Sequence, residues 1–231
     1  DIVYRLMPRE NQDINKWWLC DAGRFNVHYM HAPSRISEPS LRESTASALS
    51  AVDWDVAIER AKTKVSGKVL VLIASDLTTE EAQAIQKFTA AKFKDSSVFH
   101  FGTPSILKTS DDKAEDKLLR RTSKTANLHG VEKLGIKAWD STGKFDSALV
   151  FTGGRATLPT DLSKHVNGAV VGVGVFMQES ADRIEIVLPG LSYVEKSGTV
   201  TNWQGKDQKF NKSIEPVGQS RSMADVFALW S

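Results

Sequence analysis

Apolar positions recur along this chain at two different spacings. Behind Asp53, a residue type suited to capping a helix, Trp54, Ala57, Ile58, Ala61 and Val65 follow one helical face, and Gly67 ends the run. Val69 to Ala74 is then apolar at every position, the pattern of a strand covered on both faces. Thr78 and Glu81 make a capping box for a second helix, which is expected to turn Ala84, Ile85, Phe88 and Ala91 inward. Further strands are predicted at Val98 to Phe101, Ser147 to Phe151, Ala169 to Phe176, and Ile184 to Leu188, the last ended by Pro189. A helix around Met223 to Trp230 closes the chain. Alternation of this kind over residues 53–188 predicts an α/β fold with a doubly wound, mostly parallel sheet.

The first fifty residues follow a different pattern. Residues 2–7 suit a short strand ended by Pro8. Trp18, Ala22, Phe25 and Tyr29 fall on one helical face, and Pro33 closes that helix. Residues 33–51, rich in Ser, Pro and Ala, read as an irregular connector, and 107–127 as a charged, exposed excursion. The expected organisation is a small N-terminal unit over 1–50 and a larger domain over 51–231.

Composition mainly removes function classes. With 30 basic against 28 acidic side chains the net charge is +2, too small a bias for binding nucleic acid or an anionic membrane by charge. The longest apolar run, Gly168 to Met177, is about half of the ~20 residues a membrane-spanning helix needs. Cys20 is the single cysteine, so no internal disulfide forms and a reducing compartment is expected. Asp1, rather than Met, opens directly into strand-like sequence, as expected of a chain that starts inside a longer protein.

Candidate chemistry is sparse. Gly172 and Gly174 invite a dinucleotide reading, but Met177 stands where the fingerprint needs its third glycine; glycines thinning a buried strand is the plainer account. Gly153, Gly154 and Arg155 follow a strand, where backbone and guanidinium can meet a phosphate or the chain simply turns. Cys20 is open to three readings: nucleophile, metal ligand, or inert buried thiol. His28 lies eight residues on, out of local reach of the thiol along a helix. His28 and His31 share a helical face but have no third ligand nearby. No Ser-His-Asp spacing, Walker loop or paired carboxylates supports catalysis by the chain alone.

Two stretches are more specific. One runs Val3-Tyr-Arg-Leu-Met-Pro-Arg-Glu-Asn11, then Asn15, then Trp18-Leu-Cys-Asp-Ala-Gly-Arg-Phe25, with Arg35 and Pro39 beyond. The other runs Val187-Leu-Pro189, Tyr193-Val-Glu-Lys-Ser-Gly-Thr-Val-Thr-Asn202, Gln204-Gly-Lys-Asp-Gln208, Pro216-Val-Gly218 and Arg221. Together they resemble the molybdopterin-oxidoreductase-like family, in particular its form in the large iron–sulfur subunit of NADH:quinone oxidoreductase. The resemblance covers nearly the whole chain in order.

It implies that Cys20 is the last of four cysteine ligands to an iron–sulfur cluster, its three partners lying upstream in a full-length subunit. This chain alone would bind no cofactor and have no activity of its own. Gly198 to Asn202 matches the family loop that approaches the pterin cofactor in the molybdenum enzymes. The resemblance further implies a cofactor-free platform, with residues 1–50 the remnant of an iron–sulfur domain. Its implied partners are the other subunits of NADH:quinone oxidoreductase. Membrane association would then come only through that complex, at the cytoplasmic face of the inner membrane. A molybdopterin-dependent dehydrogenase such as formate dehydrogenase, or an interaction domain on the same fold, is the alternative.

Overall fold

The computed structural model describes residues 1–44, 47–102, 125–154, 158–176 and 184–231. The chain divides into two compact units, Asp1–Arg35 and Ile36–Ser231.

The larger unit is a sheet with helices against it. In chain order after a first short helix α1 (Asp21–Phe25) of the small unit, its elements are β1 (Ser40–Leu41), β2 (Ser50–Ala51), α2 (Trp54–Lys64), β3 (Val69–Ala74) and α3 (Thr79–Lys92). Then come β4 (Ser97–Phe101), α4 (Leu128–Lys133), β5 (Lys137–Ala138), β6 (Ser147–Phe151), α5 (Leu162–His165), β7 (Val170–Gly174) and β8 (Ile184–Pro189). A hairpin of β9 (Gly198–Thr201) and β10 (Asp207–Phe210) precedes α6 (Met223–Trp230).

Among the described residues the main sheet has eight strands in the order β2-β1-β8-β7-β6-β3-β4-β5. The six strands from β8 to β5 are parallel, and β1 and β2 extend one edge antiparallel. Counted along the chain, the parallel strands lie in the spatial order third, second, first, fourth, fifth, sixth. The predicted doubly wound sheet is therefore present, in the arrangement of a dinucleotide-binding fold. Order reverses between β3 and β6, so any ligand crevice of the usual kind lies outside the carboxyl ends of those two strands.

Strand alternation divides the interior into two cores. Val69, Val71 and Ile73 face one way with Leu149, Phe151, Val171 and Val173, under α2, α3 and α6. Leu70, Leu72 and Ala74 face the other, with Val150, Val170, Leu158 and Leu162. The C-terminal helix is fixed by aromatic packing: Phe88 stacks on Phe227 at 4.2 Å between ring centroids and meets Trp230 edge-on at 5.7 Å.

Several expectations need correction. In α3 the inward residues are Ala82, Ile85, Phe88 and Thr89, while Ala91 is exposed; the stripe sits slightly further round the helix than Ala84 and Ala91 require. Asp53 occupies the N-cap of α2, but its side chain makes no capping hydrogen bond. The stretch 33–51 is not wholly irregular, because β1 pairs with β8 and β2 with β1. The polar stretch after Gly198 forms the β9–β10 hairpin, which its composition had concealed. Most of the excursion predicted at 107–127 lies outside the described residues.

The small unit contradicts its apolar pattern. Residues 2–7 form no strand, and Trp18, Phe25 and Tyr29 do not share one helix: α1 is five residues long and a separate 3-10 turn covers His28–His31. Val27 and Met30 are buried instead, while Trp18 is 73% exposed and Tyr4 76%. Local hydrogen bonds win over the longer helix. Leu6 N–H donates to the Arg24 carbonyl, Val3 N–H donates to His31 Nε2, and the Asn15 side chain donates to the carbonyls of Arg9 and Trp18.

Candidate functional site

The topological switch point is assembled from the turns that follow β3 and β6. Leaving β3, Ser75, Asp76 and Leu77 lead into Thr78, the N-cap of α3. Leaving β6, Thr152, Gly153 and Gly154 form the facing turn. Gly153 N–H donates to Asp76 Oδ1 at 3.1 Å, so the amide the sequence offered to a phosphate is already held by a carboxylate. Burial pushes the Asp76 carboxyl above its ordinary range, and neighbouring Glu81 pushes the same way; the Gly153 bond and nearby Lys196 act against the rise. Arg155 lies outside the described residues.

Close approach of a neighbouring strand explains one glycine of β7. Gly172 and Gly174 lie inside the buried strand, and a methyl at Gly174 would collide with the Thr152 side chain. At Gly174 the role is packing at the strand end.

The N-terminus of α3 is the position where folds of this order commonly meet an anionic group, since its first amides point outward with the helix dipole behind them. In this chain it is filled from within. Thr78 Oγ1 accepts from Glu81 N–H at 3.2 Å, and Glu81 Oε2 accepts from Thr78 N–H at 2.9 Å, completing the predicted capping box. Lys196 binds the same carboxylate at 2.6 and 2.8 Å and also donates to the Leu191 carbonyl. The side chains of this pair are only 9% and 12% exposed.

Glu80 ties down the hairpin. Its two oxygens accept from the Thr199 amide at 2.9 Å and the Thr199 hydroxyl at 2.6 Å. Burial alone would raise the Glu80 carboxyl, but the two Thr199 bonds outweigh it and the group lies below its ordinary range. Gly198 is required here, because a side chain would overlap the Thr78 methyl. Asn127 completes the attachment: its side-chain oxygen accepts from Thr201 N–H at 2.6 Å while its amide donates to the Leu77 carbonyl at 2.8 Å. On the far side Lys133 reaches Asp207 at 3.1 Å. The segment Gly198 to Asn202, expected to approach a cofactor, is thus bound to α3 and α4 of its own domain.

A phosphate-bearing pterin at the start of α3 would compete with contacts the domain already makes. At the start of α3 it would meet the carboxyl groups of Asp76, Glu80 and Glu81 and would have to displace Lys196 and the hairpin.

Residues matching a known family cluster in the same half of the fold. Positions 149–229, from the end of β6 to α6, match the molybdopterin oxidoreductase family. This part of the fold is similar to molybdopterin oxidoreductase domains. The match includes Gly153, Lys196, the β9–β10 hairpin and nearly all of α6. Over 89 residues the chain is 30% identical to a subunit of the NADH-quinone oxidoreductase of Streptomyces coelicolor, covering 37% of this chain and 10% of that protein. Over 121 residues it is 24% identical to the NADH-ubiquinone oxidoreductase 75 kDa subunit of Reclinomonas americana, covering 51% and 17%. Over 46 residues it is 39% identical to the F420-dependent formate dehydrogenase 1 subunit alpha of Methanococcus maripaludis, covering 20% and 7%. The matched stretches thus span less than a fifth of each of these relatives. The chain is thus similar in part to oxidoreductase subunits of both groups, and among its described residues no helix is long and apolar enough to cross a membrane.

Cys20 lies in the small unit, just before α1. It is exposed, which removes the reading as a buried inert thiol. Its sulfur accepts from Gly23 N–H at 3.3 Å. Among the described residues no group of three or more His, Cys, Asp or Glu side chains is placed to hold a metal. His31 is engaged by the Val3 amide, so the His28–His31 pair is not set up as a chelate. For an iron–sulfur cluster the chain offers one thiolate of the four needed. The internal occupancy of the α3 start was only half legible beforehand: the Thr78–Glu81 box is local in sequence, whereas Lys196 and Thr199 reach it from well over a hundred residues away.

Proposed function

We propose that this chain is a structural platform within the iron–sulfur subunit of an NADH:quinone oxidoreductase. The supporting observation is the first turn of α3, where Glu80 is bonded to Thr199 and Glu81 to Lys196. Polar groups that a molybdenum enzyme would turn toward a phosphate are spent on fixing the domain's own hairpin. A domain that carries no pterin still needs that loop ordered, and these contacts order it.

In this reading Cys20 supplies one thiolate to a cluster whose other three ligands come from outside these residues. When bound, such a cluster supplies one-electron transfer. The chain's own contribution is to present the thiol at the surface, with Gly23 N–H donating to the sulfur. Ile2, Tyr4, Met7, Trp17 and Trp18, all more than half exposed, give the small unit an apolar surface suited to burial against neighbouring protein. The partners are the other subunits of the oxidoreductase, and the chain reaches the cytoplasmic face of the membrane through them.

The test is purification of the natural full-length protein, tagged at its chromosomal locus, from membranes solubilised in mild detergent. NADH-oxidising and quinone-reducing subunits are expected to co-purify, with molybdenum well below one atom per protein. The formate dehydrogenase relative supports a second reading, a piece of a molybdenum-dependent dehydrogenase. Stoichiometric molybdenum without NADH:quinone oxidoreductase subunits would establish that reading and overturn the first.

A further inference from the structure

The β9–β10 hairpin stands apart from the apolar interior of the domain. Neither Val200 nor Phe210 belongs to the packing on either face of the sheet. A two-stranded hairpin is marginal by itself, so contacts with the rest of the domain have to hold it. Its ties to α3 and α4 are polar. Glu80 accepts from the amide and hydroxyl of Thr199, and Lys133 donates to the Gly205 carbonyl at 3.0 Å and to Asp207 at 3.1 Å. These bonds are exposed, so water replaces each partner as it leaves and the net stabilisation is small. One tie is buried, from Thr201 N–H to Oδ1 of Asn127, the N-cap of α4.

The base of the hairpin is built differently. Where its two strands join the domain, the Val194 carbonyl accepts from Ser213 N–H at 2.7 Å and from Ile214 N–H at 3.1 Å. Val194 and Ile214 are both buried. Glu195, 1% exposed, accepts from the Ser192 amide and hydroxyl and from Val217 N–H. Lys196 follows, fixed by Glu81. Residues 192–196 and 213–217 are therefore clamped to one another, and 197–212 extend from a fixed base.

We infer that residues 197–212 form a strap that detaches from α3 and α4 as one unit while the sheet stays folded. Cross-strand pairing of Thr199 with Lys209 and of Thr201 with Asp207 couples the two strands, so the Thr199, Thr201 and Lys133 bonds break together. Opening uncovers Glu80 and the first turn of α3. It leaves the Lys196–Glu81 pair and the Val194 clamp in place. The start of α3 is thus closed in the main state and reachable in a minor one.

Native-state hydrogen exchange of this chain, followed by NMR, reads the opening directly. The Thr199 and Thr201 amides donate to Glu80 and Asn127 rather than across the hairpin, so their exchange reports detachment. After correction for intrinsic rates, both are expected to exchange equally fast, and at least about 100-fold faster than Leu72 in the buried strand β3. Glu80→Ala removes the Thr199 bonds, and it should speed Thr199 and Thr201 by the same factor, about tenfold, without changing Leu72. Lys133→Met acts from the far side of the hairpin and should again speed both amides equally, about threefold. Acceleration of Thr199 alone in Glu80→Ala, or of Thr201 alone in Lys133→Met, would reveal separately fraying contacts and overturn the strap. So would exchange of both amides in the parent chain as slow as that of Leu72.

Discussion

The sheet of the larger unit and the first 35 residues put their apolar side chains to opposite ends. In β3, β6 and β7 every residue is buried, and the strands read as continuous apolar runs because protein covers both faces. In the small unit the aromatic residues fall at equally suggestive spacings, yet Trp17, Trp18 and Tyr4 face solvent. Within Asp1–Arg35 it is Val27 and Met30 that are buried instead. Apolar periodicity predicts a buried face only where the rest of the chain supplies something to bury it against.

Truncation should separate the two regions most sharply. Phe151→Ala, in the central strand β6, is expected to lower unfolding free energy by about 3–5 kcal/mol, whereas Trp18→Ala should change it by less than about 0.5 kcal/mol. Urea denaturation of both variants measures the contrast, and equal losses would show that the small unit has a core of its own. Next in size is the Lys196–Glu81 pair. Lys196→Met strands a largely buried carboxylate and is expected to cost about 3 kcal/mol by the same assay.

The smallest effect concerns Asp76. A carboxyl held above its ordinary range binds its proton more tightly in the folded state, so ionising it destabilises the fold. That penalty is absent below the ordinary value near 3.8 and complete once pH has risen past the raised folded value. Asp76→Asn cannot ionise and retains an acceptor for Gly153 N–H. It is therefore expected to melt at a higher temperature than the parent at pH 7, with the difference closing at about pH 3. A difference that persists unchanged at low pH would place its cause elsewhere.

The legible and hidden parts of this protein divide by distance along the chain. The strand Val69–Ala74 could be read to the residue, since six successive apolar positions need no distant partner to be recognised. The Thr78–Glu81 box was equally legible, because both halves lie within one turn of helix. The hairpin was not: β9 and β10 are polar and half-exposed, and they are held by Glu80, Asn127 and Lys133 from remote parts of the sequence. The resemblance marked Gly198 to Asn202 as important, but only the fold shows that these residues are bound to their own domain. Cys20 shows the converse. Its composition favoured burial, yet it is exposed beside a local turn in which its sulfur accepts from Gly23 N–H.

The occupied start of α3 is the feature on which the platform reading depends, and amide NMR of this chain titrated with pyrophosphate addresses it directly. The account predicts that the amides of Thr79, Glu80, Glu81 and Thr199 do not move at millimolar pyrophosphate, because carboxylates and the hairpin hold that position. Saturable shifts at those four amides, with release of Thr199 from Glu80, would contradict it.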